Sequence, residues 1–192
     1  MLKTKRFITA LVALFVSASA LAHPGHEHLS LPAGLVSGFL HPLLGLDHLV
    51  VLFAVGYMSY SSEGSQRWIL PLTFVGLMAV GFVVAHSGVH LVSAVTMEMM
   101  ITISLVLAAG LLAVNSIGRK LLKPIAGLVG TSALTLFAIF HGLAHGYEVP
   151  HEASVATFGL AFATTSLAII FVASSMAKYF AKRSAGMKTA VS

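Results

Sequence analysis

The sequence predicts an all-α protein: a polytopic membrane helix bundle that crosses the bilayer about five times after a cleaved signal peptide. Of its 192 residues, 57% are hydrophobic and only 9% are charged, whereas a soluble domain carries about 25% charged residues. The apolar residues come in runs of about 20, the length that spans a bilayer as a helix. These two observations argue against a water-soluble globular protein. The chain contains no cysteine, which excludes disulfides and thiolate metal sites.

The first 22 residues have the three parts of an export signal. Positions 3–6 carry basic residues, positions 7–16 form an apolar stretch, and positions 20–22 give a small-x-small cleavage sequence. We expect residues 1–22 to be removed, which leaves His23 as the new N-terminus outside the cytoplasm. An uncleaved first membrane helix is the alternative.

The mature chain, 23–192, is predicted to be a single transmembrane domain. Pro42 and Gly45 interrupt the first apolar segment, Pro124 suits the first turn of the fourth, and Pro150 ends it. The five predicted helices cover about 31–60, 68–86, 90–115, 124–147 and 153–178.

The basic residues predict how this domain is oriented. With the mature N-terminus outside, five crossings place loop 61–67, loop 116–123 and the C-terminal tail inside. These segments carry the basic side chains, and the two outer loops hold no Lys or Arg, as the positive-inside rule requires. We expect a bacterial inner-membrane protein with a periplasmic N-terminus and a cytoplasmic C-terminus. The formal charge of +5 then reflects topology, and we expect no nucleic-acid partner.

The first motif with ionisable residues inside an apolar segment is HPLLGLDH, residues 41–48. Such residues are costly in a membrane and suggest function. Pro42 tends to break a helix, and broken membrane helices build ion sites in transporters. His41, Asp47 and His48 are therefore candidate metal ligands, with Asp47 as a ligand or as an acceptor that orients an imidazole. A proline kink with histidines bonded to neighbouring helices is the alternative.

The second motif is FHGLAHGYE, residues 140–148. His141, His145 and Glu148 have the spacing i, i+4, i+7, which places them on one helix face. Two imidazoles and a carboxylate on one face form half of a metal site. Gly142 and Gly146 allow another helix to approach closely, and we expect that helix to be the first one. Helix packing with a polar cap at the membrane surface is the alternative.

Other residues give weaker signals. Glu98 is a lone carboxylate about two turns into the third predicted helix and is a candidate ligand or proton relay. The methionines around it would suit Cu(I) but are more typical of packing. The remaining candidates are entrance ligands on the outer side: His23, His26, His28, His86 and His90.

These ligand types favour a divalent metal ion that is neither strongly hard nor strongly soft. Imidazole and carboxylate suit nickel, cobalt, zinc and copper, and the spacing does not choose among them. In the transport pathway we predict, the ion passes His86, His90, His145 and Glu148 at the mouth. It then reaches a deeper site made of His41, Asp47, His48, His141 and Glu98.

The two motifs together resemble the HupE/UreJ family of hydrogenase and urease accessory membrane proteins. The layout also resembles that family, from the signal peptide through the histidine-rich mature N-terminus to about five helices. Members are regarded as nickel permeases, and some relatives are linked to cobalt. The resemblance implies a nickel ion as the transported species and downstream nickel chaperones or maturation proteins as partners. It implies a metal role for the six motif residues named above and, through a looser match, for Glu98.

We therefore expect a membrane permease that imports a divalent metal, most simply nickel, and is not an enzyme. A cobalt or copper transporter is the nearest alternative. A metal-binding protein that does not transport and a haem protein with histidine ligands also stay open. A zinc-dependent intramembrane hydrolase would need three protein ligands and an open position, but the sequence contains no H-E-x-x-H.

Overall fold

The computed structural model describes residues 32–88, 92–117, 129–149 and 153–189. Within these ranges the regular structure is helical, so the prediction of an all-α fold is confirmed for this part of the chain. The predicted signal peptide lies outside the described residues. The described ranges contain six α-helices: α1 (Pro32–Leu44), α2 (Leu46–Ser61), α3 (Gln66–His86), α4 (Ala94–Ile117), α5 (Thr131–Tyr147) and α6 (Val155–Thr189).

Three of these helices, α3, α4 and α6, are long and apolar enough to cross a membrane on their own. The pair α1 and α2 forms a fourth candidate span, broken by a bend of 73°. Helix α5 has 17 described residues, a length of about 26 Å, which falls just short of a full span. The protein is thus a membrane helix bundle, while the count of five crossings stays a prediction.

The segment predicted as one interrupted helix, 31–60, is two helices that meet at Gly45. Pro42 lies inside α1 and is buried, so the break falls three residues later than the proline. The Gly45 backbone is extended, with φ −76° and ψ 109°. Its N–H still donates to the His41 carbonyl at 3.1 Å, and its own carbonyl accepts from the Leu49 N–H at 3.0 Å. The chain therefore changes direction at Gly45 while keeping the backbone hydrogen bonds on either side.

The other helix boundaries shift for local reasons. Helix α4 begins at Ala94 rather than near 90, because the Ser93 hydroxyl accepts the Thr96 N–H at 3.2 Å and caps the first turn. Helix α6 continues to Thr189 instead of ending near 178, because the Lys- and Ala-rich tail favours helix. The proposed first-turn role of Pro124 lies outside the described residues.

Glycines set the contact between α3 and α5. A methyl group built on Gly142 would overlap the Met78 carbonyl oxygen, and one on Gly81 would overlap the Ile139 carbonyl oxygen. A methyl group on Gly146 would also meet α3, at the Ala85 side chain and the Phe82 carbonyl oxygen. The expectation that Gly142 and Gly146 would pack the fourth predicted helix against the first is therefore wrong: their partner is α3, where Gly81 supplies the complementary gap.

Helix α6 runs in the same direction as α1 and α2. Gly34 of α1 lies against residues 153–157 at and just before the start of α6. Gly38 of α1 contacts α6 at residues 158–161, and Gly56 of α2 contacts it at residues 170–174. Helices α3 and α5 are likewise parallel to each other. One end of the bundle, here called the histidine end, therefore contains the last turns of α3 and α5 and the first turns of α6.

We predict that Gly142→Ala destabilises the bundle by roughly 1–3 kcal/mol, the usual cost of overpacking a tight contact. The added methyl group meets backbone atoms of α3, which cannot move aside as a flexible side chain could. Unfolding of the detergent-solubilised protein measures the effect. Gly76→Ala is the matched control, because no atom lies within 4 Å of a methyl group built at that position. Equal stability of both variants would contradict the packing described here.

Candidate metal centre

Three histidines from three helices converge at the histidine end. His41 lies in the last turn of α1, His48 in the first turn of α2 and His145 in the last turn of α5. Each offers one ring nitrogen, and these nitrogens all lie within 4.8 Å of one another. Ring centroids are 5.6 Å apart for His41 and His48, 4.3 Å for His41 and His145, and 4.2 Å for His48 and His145.

The bend at Gly45 brings the two histidines of the first motif together. Seven residues of straight helix would separate His41 from His48 by about 10 Å along the axis. The observed separation of their rings is 5.6 Å. The break at Gly45 lies between the two residues, and their rings are closer together than the axial rise of a straight helix of that length.

Glu148 connects two members of this cluster. Its Oε2 atom lies 2.7 Å from Nδ1 of His145 and 3.5 Å from Nε2 of His41. The residue caps the C-terminus of α5, where the helix no longer dictates the direction of its side chain. A carboxylate bonded to one nitrogen of an imidazole orients the ring and makes its other nitrogen a better ligand. Glu148 can act in this way or bind an ion itself.

His141 and Asp47 form an adjoining part of the site. The His141 ring lies 5.2 Å from the His48 ring, and the Asp47 carboxylate interacts electrostatically with both imidazoles. One ring nitrogen of His141, Nδ1, lies 3.3 Å from the Phe137 carbonyl. The Nε2 atoms of His48 and His141 are buried and have no hydrogen-bond partner among the described residues. Buried polar atoms are normally paired, so these two are suited to receiving an ion or a water molecule.

Two phenylalanines of α6 form a wall of the cluster. The Phe162 ring lies 5.1 Å from the His145 ring, 5.6 Å from His48 and 6.1 Å from His41. Phe158 lies 6.2 Å from His41. Neither residue is among the candidates that the sequence predicts. Their spacing of four on an apolar helix is the one signal available, and it is common to any core helix.

The exposure of the ligands shows where the site opens. His48, His141 and His145 are at most 5% exposed, whereas the side chains of His41 and Glu148 are 26% and 29% exposed. Among these residues, His41 and Glu148 are therefore the ones that reach the surface of the bundle, at the histidine end. His145, expected at the mouth, instead lies inside the cluster, because the last turn of α5 is covered by α3 and α6.

The remaining candidates fall outside this arrangement. Glu98 is exposed and lies only one turn into α4, since the helix begins later than predicted. A carboxylate near a helix end is less costly than one in mid-span, so its position does not require a role in the deep site. His86 is the last residue of α3 and is also exposed. His23, His26, His28 and His90 lie outside the described residues.

The histidine cluster can bind a divalent transition-metal ion with little movement. Metal–imidazole bonds of about 2 Å hold ligand nitrogens roughly 3–4 Å apart, so side-chain rotations suffice to close the present spacing. Three imidazoles with neighbouring carboxylates match the preferences of nickel, cobalt, zinc and copper.

Comparison with known proteins identifies the family to which this chain is similar. The family described as HupE / UreJ protein matches residues 11–192. The chain belongs to the HupE/UreJ family. A relative, Protein HupE of Rhizobium leguminosarum bv. viciae, is 34% identical over 150 residues, which cover 78% of this chain and 71% of the relative. No solved structure gives a significant match. The resemblance inferred from the two motifs is confirmed.

We predict that His48→Ala lowers the nickel affinity of the purified protein by at least about 10–100-fold, the range observed when even an outer partner of a metal ligand is removed. Equilibrium dialysis in detergent measures the change. Leu46→Ala is the control, because Leu46 lies on the same turn but faces outward with 48% exposure. An unchanged affinity in His48→Ala would remove this residue from the site.

We predict that Glu148→Gln weakens nickel binding by about 10–100-fold, because the amide lacks the charge that strengthens His145 as a ligand. The same dialysis measures it. Glu63→Gln makes the identical chemical change in the exposed loop between α2 and α3 and should bind as wild type does. Similar losses in both variants would point to a general effect of charge.

Proposed function

We propose that this protein is a permease that imports a divalent transition-metal ion, with nickel as the main substrate, for the maturation of metalloenzymes such as hydrogenase or urease. The convergence of His41, His48 and His145 inside a membrane bundle carries the proposal. Buried imidazoles are expensive within a membrane and are retained where an ion passes or binds. The HupE/UreJ family, whose members are regarded as nickel permeases, supports nickel over zinc and copper.

The histidine end is proposed to face the periplasm. The opposite end holds Arg67 at the start of α3 and Lys178, Lys182 and Arg183 in the last part of α6. Cytoplasmic segments carry the excess of basic residues, so this end would face the cytoplasm. Metal would then reach Glu148 and His41 from outside, and His23, His26, His28, His86 and His90 would serve as collecting ligands near the entrance.

The cluster would bind the ion through neutral imidazoles. Metal ligands must be deprotonated, and the Glu148 carboxylate can hold the His145 proton on Nδ1. Asp47 would balance part of the ion's charge beside His48 and His141. The break between α1 and α2 also allows the two halves of the first span to move separately, as the discontinuous helices of transporters do.

Haem binding is less compatible with this geometry. The rings of His48 and His145 have centroids 4.2 Å apart, which leaves no room for a porphyrin between them. Binding without transport is the stronger competitor, because the same cluster would serve a storage or sensor protein. Metal uptake distinguishes the two, since a protein that only binds metal cannot take up more ions than it has binding sites.

We predict that wild-type protein raises nickel accumulation in cells that lack their own nickel importer. His145→Ala is expected to abolish the increase, because it removes the histidine whose ring lies closest to the other two. Metal content of washed cells at matched expression is the measurement, with Leu46→Ala as the control variant. Parallel assays with cobalt, zinc and copper define the substrate. Accumulation no greater than the amount of protein in the membrane would reject a permease and favour storage.

A further inference from the structure

We infer that Thr165 and Ser166 of α6 form an inner binding step for the divalent cation, directly after the histidine cluster on the way to the opposite end of the bundle. The inference rests on the proposed transport function and extends the pathway beyond the histidine cluster, along α6. The occupant would be a divalent transition-metal ion that keeps some of its water.

The two hydroxyl groups are buried without partners. Thr165 is 3% exposed and Ser166 is 0% exposed, and neither Oγ atom has a hydrogen-bond partner among the described residues. Helical Ser and Thr normally bond back to a carbonyl three or four residues earlier. Thr102, Thr135 and Thr164 all do so in this protein. A buried hydroxyl without this hydrogen bond costs free energy, because its hydrogen bonds to water are lost and not replaced. A passing ion would offset that cost.

Their position continues the site inward. Thr165 and Ser166 lie three and four residues after Phe162, so they share its face of α6 one turn further on, about 4.5–6 Å along the axis. Phe162 contacts His41, His48 and His145. The face of α6 that contacts the imidazoles therefore continues, one turn further on, into the turn that carries the two hydroxyls.

The contacts between α2 and α6 show which turn of α2 lies opposite the two hydroxyls. His48 faces Phe162, and Gly56 contacts Ile170 two turns later. The hydroxyls therefore lie level with the turn of α2 that contains Val51 and Leu52, which are 1% and 2% exposed. These apolar side chains offer no competing ligand. The hydroxyl pair is the next polar feature on this face of α6, and Ile169 and Ile170 follow it.

A pair of hydroxyl oxygens suits an intermediate binding site, from which the ion must leave again. Hydroxyl oxygens accept through lone pairs but carry no charge, so they bind a transition metal more weakly than imidazole does. Conduction requires sites that are favourable enough to enter and weak enough to leave. A histidine cluster that binds the ion tightly, followed by a hydroxyl pair that binds it weakly, meets both requirements.

The test compares the full-length Thr165→Val/Ser166→Ala protein with wild type. In proteoliposomes we expect nickel influx to fall about tenfold, equivalent to a 1.36 kcal/mol higher barrier, while nickel affinity in detergent stays at the wild-type value. Thr164→Val is the matched control, because this neighbouring hydroxyl is exposed and bonds to the Leu160 carbonyl at 2.7 Å. Thr165→Ser, which keeps the hydroxyl, should retain influx.

The outcomes separate this inference from the function it rests on. Wild-type influx in the double variant would overturn the inner step and leave the permease intact. No influx with wild-type protein would reject the permease, and the inner step with it. A double variant that no longer folds would also overturn the inference, because removing hydroxyls without partners should be neutral or stabilising. Loss of influx in Thr164→Val as well would point to a general defect of α6.

Discussion

The bend at Gly45 is the constraint on which the arrangement of the candidate site depends. A straight first span would hold His41 and His48 about 10 Å apart along its axis, whereas their rings are 5.6 Å apart in the bent span. The bend of 73° turns the last residues of α1 and the first residues of α2 toward the same point. Breaking a helix inside a membrane is tolerated where the freed groups are buried in protein or line a cavity, and here both halves lie against α6.

Glycine packing determines where the second half of the site lies. Gly142 and Gly146 alternate along α5 with His141 and His145, so the face that packs on α3 adjoins the face that carries the imidazoles. Close approach of the two backbones at Gly81 and Gly142 leaves little freedom for α5 to rotate or slide. The positions of its histidines are therefore a consequence of backbone contact, which is stiffer than contact between side chains.

The site changes in character from its entrance to its interior. Glu148 and His41 are partly exposed, the other three histidines are buried, and uncharged hydroxyls on α6 follow beyond Phe162. Charge and ligand strength thus decrease along one direction. Such a gradient would draw an ion in from the histidine end and weaken its binding further along, which connects the packing of α6 to the proposed transport.

The sequence by itself determined the helical membrane class, the two motifs and the family. These depend on local properties: the length of apolar runs, helical spacing and the identity of residues beside glycines. It also indicated a break near Pro42 and Gly45. The tertiary structure alone decided that the break lies at Gly45 and that the glycine pair faces α3. It also decided that His145 is buried in the cluster and that Phe162 packs against the histidines. Each of these depends on which helices become neighbours, and that is set by the fit of backbones far apart in the chain rather than by the spacing within any one helix.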